Sequence, residues 1–263
     1  MPAERPPATY QAAPARIGGL NATEPLLNDR HGLFDTITST LAPVHRDGHK
    51  FLAISLGLTL LFFFIWPPLA WVLALLSVYI AYFFRDPDRV TPLRESLVIA
   101  PADGVIQRIE RVRPPAELGL GDSERVRISI FLSIFDVHIN RSPVAGRIAR
   151  AIYIPGLFLN AALDKASEDN ERRALVILTP GGDEIAVVQI AGLIARRIVG
   201  FKDEGAAIGV GERSGLIRFG SRVDLYLPPG RGALAAVGQR AVGGETVLAD
   251  LRSDEPEREA RVT

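Results

Sequence analysis

Residues 51–84 carry no charged side chain, and this run divides the chain. In water it would strand apolar surface, so a bilayer is its natural solvent. Pro67-Pro68 splits it into two arms, 51–66 and 69–84, of 16 residues each. At about 1.5 Å per residue each arm reaches about 24 Å, short of a hydrocarbon core of roughly 30 Å. The pattern predicts a helical hairpin that dips into or just crosses the membrane, with a buried core hairpin as the alternative. Just upstream, Leu33, Phe34, Ile37, Leu41 and Val44 recur at helical spacing. They fit either an amphipathic helix on a membrane surface or one packed on the globular domain. Residues 33–84 thus form one amphipathic and hydrophobic region. Residues 1–32 are rich in Pro and Ala, lack periodicity and read as a disordered tail.

From residue 85 the period changes. Short β-rich runs fall at 97–99, 126–132, 148–154, 174–178, 185–190, 223–227 and 247–248, punctuated by Gly, Pro and Asp. The stretch 157–171 suits a helix better. The pattern predicts an α+β protein: a mainly antiparallel β barrel or sandwich-like domain over 85–250, preceded by the helical hairpin. A charged tail follows at 251–263.

Composition narrows the chemistry. Lys+Arg and Asp+Glu both number 30, so net charge offers nothing to nucleic acid. Cysteine is absent, which excludes disulfides, thiolate catalysis and cysteine-ligated metals. Histidine occurs only at 31, 45, 49 and 138, so no metal site is expected in the folded domain. Arg46 and Lys50 precede the hairpin and Arg85 and Arg89 follow it, which places both ends, and the domain, on the cytoplasmic side of the cell membrane.

Three segments carry candidate chemistry. In Gly220-Ser221 a hydroxyl follows a residue without Cβ, so it can turn onto the preceding carbonyl with little steric resistance. Attack would convert the amide to an ester. Elimination would then leave dehydroalanine at a new N-terminus, which hydrolyses to a pyruvoyl group. Gly-Ser pairs are nevertheless mostly plain turns. Asp103-Gly104 is an ordinary turn pair as well, yet a carboxylate there could orient a histidine. His138 is the only histidine beyond residue 50 and sits among Asp136, Asn140 and Arg141, either as a base or as a structural residue. Arg196-Arg197 could bind phosphate or cover a surface. The Gly-rich stretch 205–215 lacks a phosphate-loop fingerprint and reads as a flexible loop.

Taken together, these segments resemble the phosphatidylserine decarboxylase family, especially its shorter bacterial and archaeal-type members. The matching runs are Arg85-Asp-Pro87, Ala100-Pro-Ala-Asp-Gly104, Asp136-Val-His-Ile-Asn-Arg-Ser-Pro143, Ile190-Ala-Gly-Leu-Ile-Ala-Arg-Arg-Ile198 and Ile217-Arg-Phe-Gly-Ser-Arg-Val-Asp224, in family order across roughly 33–250. The resemblance implies a proenzyme that cuts itself between Gly220 and Ser221 into a β chain, 1–220, and an α chain, 221–263. These stay together as a heterodimer, with Ser221 becoming the pyruvoyl prosthetic group. It implies decarboxylation of phosphatidylserine in the membrane to phosphatidylethanolamine and CO2. Ser221, His138 and Asp103 would carry the chemistry, and Arg141, Arg196 and Arg197 would contact substrate. One position departs from the pattern. Larger members carry a second histidine three residues after the first, where this chain has Arg141, a poor base. The competing reading is a membrane-anchored serine hydrolase with a Ser221/His138/Asp103 triad, although no Gly-x-Ser-x-Gly elbow surrounds Ser221.

Overall fold

The computed structural model describes residues 42–156, 170–192, 197–218 and 221–253, with positions 255, 258, 260 and 261 of the tail. The expected tail at 1–32, most of the surface helix and most of the 157–171 helix fall outside the described residues. Two positions of the latter are described and are not helical. Asn170 forms a β-bridge with its Nδ2 donating to Ala191 O at 2.7 Å, and Glu171 O accepts from Ala191 N.

The hairpin is present. Helix α1 (Arg46–Ile65) and helix α2 (Pro67–Phe83) meet at Trp66. Pro67 cannot extend α1 but fits the first turn of α2, where its missing N–H would be unpaired anyway. α1 starts earlier than the charge-free run predicts, and its 20 residues reach about 30 Å, enough to cross a hydrocarbon core. The pair is packed in reverse of a water-soluble one. Hydroxyls lie inside, with Ser55 Oγ and Ser77 Oγ sharing a hydrogen bond of 2.8 Å. Phe64, Trp71, Leu75 and Val78 point outward and are exposed. Small and hydroxyl-bearing residues between helices, with bulky apolar ones outside, are what packing in lipid selects. Gly48 lets α1 approach the end of α2, since a Cβ there would sit 2.5 Å from Phe84 Cβ.

Thirteen strands follow: β1 (Leu97–Ile99), β2 (Gly104–Val112), β3 (Arg125–Leu132), β4 (Ile139–Arg141), β5 (Gly146–Ile154), β6 (Arg172–Leu178), β7 (Glu184–Ala191), β8 (Ile198–Gly200), β9 (Ala207–Ile208), β10 (Arg213–Ile217), β11 (Ser221–Tyr226), β12 (Arg240–Ala241) and β13 (Val247–Asp250). Eight of them form one antiparallel sheet ordered β12-β2-β3-β11-β7-β6-β5-β9, which curls into a half-barrel. Register shifts at Ile106/Arg108 and Ile148/Arg150 mark irregularities that bend a sheet in this way. Two smaller sheets, β1-β13 and β4-β10-β8, complete the domain. The fold is α+β, as the sequence pattern predicts.

Side-chain alternation on the three-stranded sheet explains how hairpin and domain join. Leu216 in β10 is level with Ile139 in β4 and Val199 in β8, and all three pack with Phe83 and Phe84 at the hairpin base. The next positions, Ile217 and Ile198, face the opposite way into the main core with Ile130, Leu132, Val223 and Leu225. The small sheet is therefore the wall between hairpin and core.

The stretch 205–215, expected as a flexible loop, is part strand and part turn: it contains β9 and the start of β10. Two of its glycines, Gly211 and Gly215, serve close approach. Gly211 has φ +71°, and a Cβ on Gly215 would meet Gln189 Nε2 and Val199 O at 2.8 Å each. Gln189 reaches across to donate to Asn140 Oδ1 at 2.7 Å. Gly215→Ala is expected to destabilise the domain by about 1–3 kcal/mol through overpacking, read as a lowered denaturation midpoint. An unchanged midpoint would show that β10 shifts without cost.

Candidate active site

Ser221 opens β11, the strand that sits between β3 and β7 in the middle of the large sheet. It pairs with Leu132, the last residue of β3, and with Ala191, the last of β7. The preceding strand, β10, belongs to the small sheet. The chain therefore leaves the small sheet after Ile217 and enters the large one at Ser221. Phe219 and Gly220 themselves fall outside the described residues. Ser221 shares its face with Val223 and Leu225, is 0% exposed, and its Oγ has no hydrogen-bond partner among the described residues. A buried hydroxyl without a partner costs stability, so its retention calls for a functional reason.

His138 lies shortly after Leu132, the residue that pairs with Ser221. After Leu132 the chain turns through 133–136 and returns with His138 O accepting from Ile217 N at 3.2 Å. The imidazole is 0% exposed and lies against Phe83, with ring centroids 4.3 Å apart. Its Nδ1 is 2.9 Å from Asp136 O. A carbonyl only accepts, so Nδ1 carries the proton and Nε2 keeps the lone pair. Burial drives the His138 pKa from an ordinary 6.5 down to about 4, against the raising effect of the Asp136 carbonyl. The ring is thus a neutral, desolvated base at physiological pH. The unfolded chain binds a proton here more readily than the folded one. Fold stability should therefore be complete above pH 6.5 and fall as pH drops from 6.5 towards 4, by about 3 kcal/mol in all. Denaturant midpoints measured across that window test this, and a flat profile would contradict it.

Asp103 precedes β2 on a tight turn where Gly104, at φ +150°, lies so close to Phe131 O that a Cβ would sit 2.2 Å away. Its two oxygens are taken. Arg89 Nη2 donates to Oδ2 at 2.7 Å and Gly243 N to Oδ1 at 2.8 Å. Burial raises the Asp103 pKa, while the Arg89 charge beside it pulls the other way. Arg141 is also engaged, donating to Gly211 O at 3.0 Å and Pro87 O at 2.8 Å and approaching Asp86 Oδ1 at 3.5 Å. It lines an open basic cavity with Arg46, Arg89 and Arg213. Arg197 is exposed, and Arg196 falls outside the described residues.

His138 is tied through its backbone to Ile217, just before the start of β11, and Asp103 and Arg141 are held in a polar cluster tied down by residues 85–89. The roles of that segment are not apparent from one sequence. Arg85 caps the 133–136 turn by donating to Phe135 O at 2.8 Å, Asp86 pairs with Arg213, and Arg89 holds Asp103. These partners lie 14 to 127 positions apart in the chain. The dense charge of Arg85-Asp-Pro-Asp-Arg89 immediately after an apolar helix is the one local signal of them. No group of three or more potential metal ligands occurs among the described residues.

Comparison with known proteins gives the chain's relatives. Residues 76–249 match the family model described as phosphatidylserine decarboxylase. The chain is also 55% identical over 224 residues to a phosphatidylserine decarboxylase proenzyme of Cereibacter sphaeroides, a match that covers 85% of this chain and 97% of the relative.

Proposed function

Because the chain belongs to the phosphatidylserine decarboxylase family, we propose that it is a proenzyme which cleaves itself at Gly220–Ser221 and then decarboxylates phosphatidylserine at the membrane surface. The observation that carries this is the Ser221 hydroxyl, fully buried, without a hydrogen-bond partner among the described residues, at the first position of β11 and following a glycine in the sequence. No Gly-x-Ser-x-Gly elbow surrounds Ser221, which speaks against the hydrolase reading. The carbonyl within reach of its own side chain is that of Gly220. Attack of Oγ on the Gly220 carbonyl carbon breaks the C–N bond and forms the ester, and Nε2 of neutral His138 is the base suited to take the hydroxyl proton. Loss of the Ser221 α-proton then expels the Gly220 carboxylate, and hydrolysis with release of ammonia leaves the pyruvoyl carbonyl.

That carbonyl supplies an electron sink for carbon dioxide loss once joined to the substrate amine. The remaining work falls to the chain itself. Nε2 of His138 takes a proton from the incoming substrate ammonium and returns it to the carbon that loses CO2, and Phe83 shields the imidazole from water. Asp103, fixed by Arg89 and Gly243, keeps the Ala100–Gly104 turn rigid beside the site. The outward apolar surface of α1 and α2 suits a bilayer, and the hairpin base packs directly on the small sheet next to His138. The lipid headgroup is thereby offered to the site at the membrane surface, on the cytoplasmic side by the charges flanking the hairpin.

The sheet topology also supports a two-chain enzyme that stays whole. All three strands after the cut pair with strands before it: β11 with β3 and β7, β12 with β2, and β13 with β1. Residues 221–263 would remain bound after cleavage, with β11 in the interior of the large sheet. The test of activity is release of labelled CO2 from phosphatidylserine carrying its label in the serine carboxyl, with the protein in mixed micelles. Release of CO2 with formation of phosphatidylethanolamine supports the reading. Release of free fatty acid or headgroup without CO2 would replace it with the hydrolase.

A further inference from the structure

We propose that the turn at residues 133–136 is a second membrane contact, a lip carrying Ile134 and Phe135 into the bilayer beside the hairpin and setting the depth at which His138 meets lipid headgroups. The proposal rests on the membrane reading above. Ile134 and Phe135 are adjacent large apolar side chains at the tip of a tight turn, 38% and 61% exposed in a domain whose other hydrophobic side chains are mostly buried.

The polar backbone of this turn is closed off to an unusual degree. Ser133 N donates to Asp136 Oδ2 at 2.8 Å, Phe135 N to Ser133 Oγ at 3.3 Å, and Asp136 N to Ser133 O at 3.0 Å. The two carbonyls at the tip are capped from the hairpin side: Tyr79 Oη donates to Ile134 O at 3.2 Å and Arg85 Nη2 to Phe135 O at 2.8 Å. In water, solvent would satisfy these groups and no such caps would be needed. At the edge of a hydrocarbon layer each unsatisfied group is costly, and the caps remove that cost.

Position points the same way. Tyr79 lies one helical turn above Phe83, so the lip rises about 6 Å along α2 from the hairpin base. It lies beside Tyr79, whose helix neighbours Val78 and Tyr82 are exposed, so the apolar surface of the hairpin continues towards it. The Arg85 guanidinium lies 3.8 Å from the Tyr82 ring centroid, a cation and an aromatic ring at the level where membrane interfaces place both. The lip is also coupled to the base, because Asp136 O accepts from His138 Nδ1 and the Asp136 carboxylate pairs with Arg240. Seating the lip in the bilayer therefore seats His138.

The test uses the full chain reconstituted into phosphatidylserine/phosphatidylcholine vesicles with brominated acyl chains, in a Trp66→Phe, Trp71→Phe background. Phe135→Trp should give an indole that the bromines quench. Leu178→Trp serves as the water-facing control, because Leu178 pairs with Glu184 at the end of the sheet opposite the Ala191–Ser221 end. A Phe135→Trp signal unquenched by bromolipid overturns the proposal and leaves a protein partner or a second copy as the occupant. In parallel, Phe135→Ser should keep self-cleavage and turnover of a water-soluble short-chain phosphatidylserine while losing on the order of tenfold in turnover on vesicles. Equal losses on both substrates would make the turn merely structural and also overturn the proposal. If the unaltered chain neither cleaves nor releases CO2, the proposed function fails, yet quenching still decides where the lip resides.

Discussion

Ser221→Ala gives a single uncut polypeptide of 28.5 kDa that is folded and releases no CO2 from phosphatidylserine. The substitution is unusually clean. Ser221 Oγ is buried and makes no hydrogen bond among the described residues, so its removal strands no partner. Deleting such a hydroxyl should leave stability within about 1 kcal/mol of the parent. Any loss of processing is then chemical rather than a consequence of misfolding. Denaturation midpoints establish the fold and a denaturing gel reads the cut. Two fragments from a Ser221→Ala preparation would move the reactive group elsewhere.

His138→Gln is the second large effect. Removing a positioned base slows proton transfer by about 10²–10⁴-fold, so self-cleavage should fall from complete during expression to slow on the bench, with CO2 release falling alongside. The pH profile separates this from a structural role. The parent chain loses stability as the buried imidazole is forced to protonate below pH 6.5, and the glutamine variant, having nothing to titrate at that position, should lose this component of its acid sensitivity. A variant that processes at the parental rate would return the base role to some other group.

The parts legible in the sequence are those whose cause is local. The hairpin follows from a charge-free run split by Pro67-Pro68, and β3, β6 and β7 from compact apolar runs. β2 does not announce itself, because Arg108, Glu110 and Arg111 interrupt its alternation on a strand only half buried beyond Ile106. β4 and β10 are short and hold Asn140, Arg141, Arg213 and Gly215, residues that read as loop until Gln189 and residues 86–87 are brought against them from far along the chain. The Gly-rich stretch before the site misleads for the same reason: a glycine needed for close packing looks like one needed for motion. Within the site, Ser221 and His138 were recognisable from their motifs. The engagement of Asp103 by Arg89, and of Arg141 by Gly211 and Pro87, depends on contacts that no local pattern encodes.

An intact mass spectrum of the purified protein under denaturing conditions tests the central claim most directly. The account predicts two chains that together make up the sequence: one ending at Gly220, and one running from position 221 to 263 and lighter by one ammonia than the same segment with an N-terminal serine. A catalytically active preparation consisting of one uncut chain, or of two chains whose smaller member begins with unmodified serine, would contradict it.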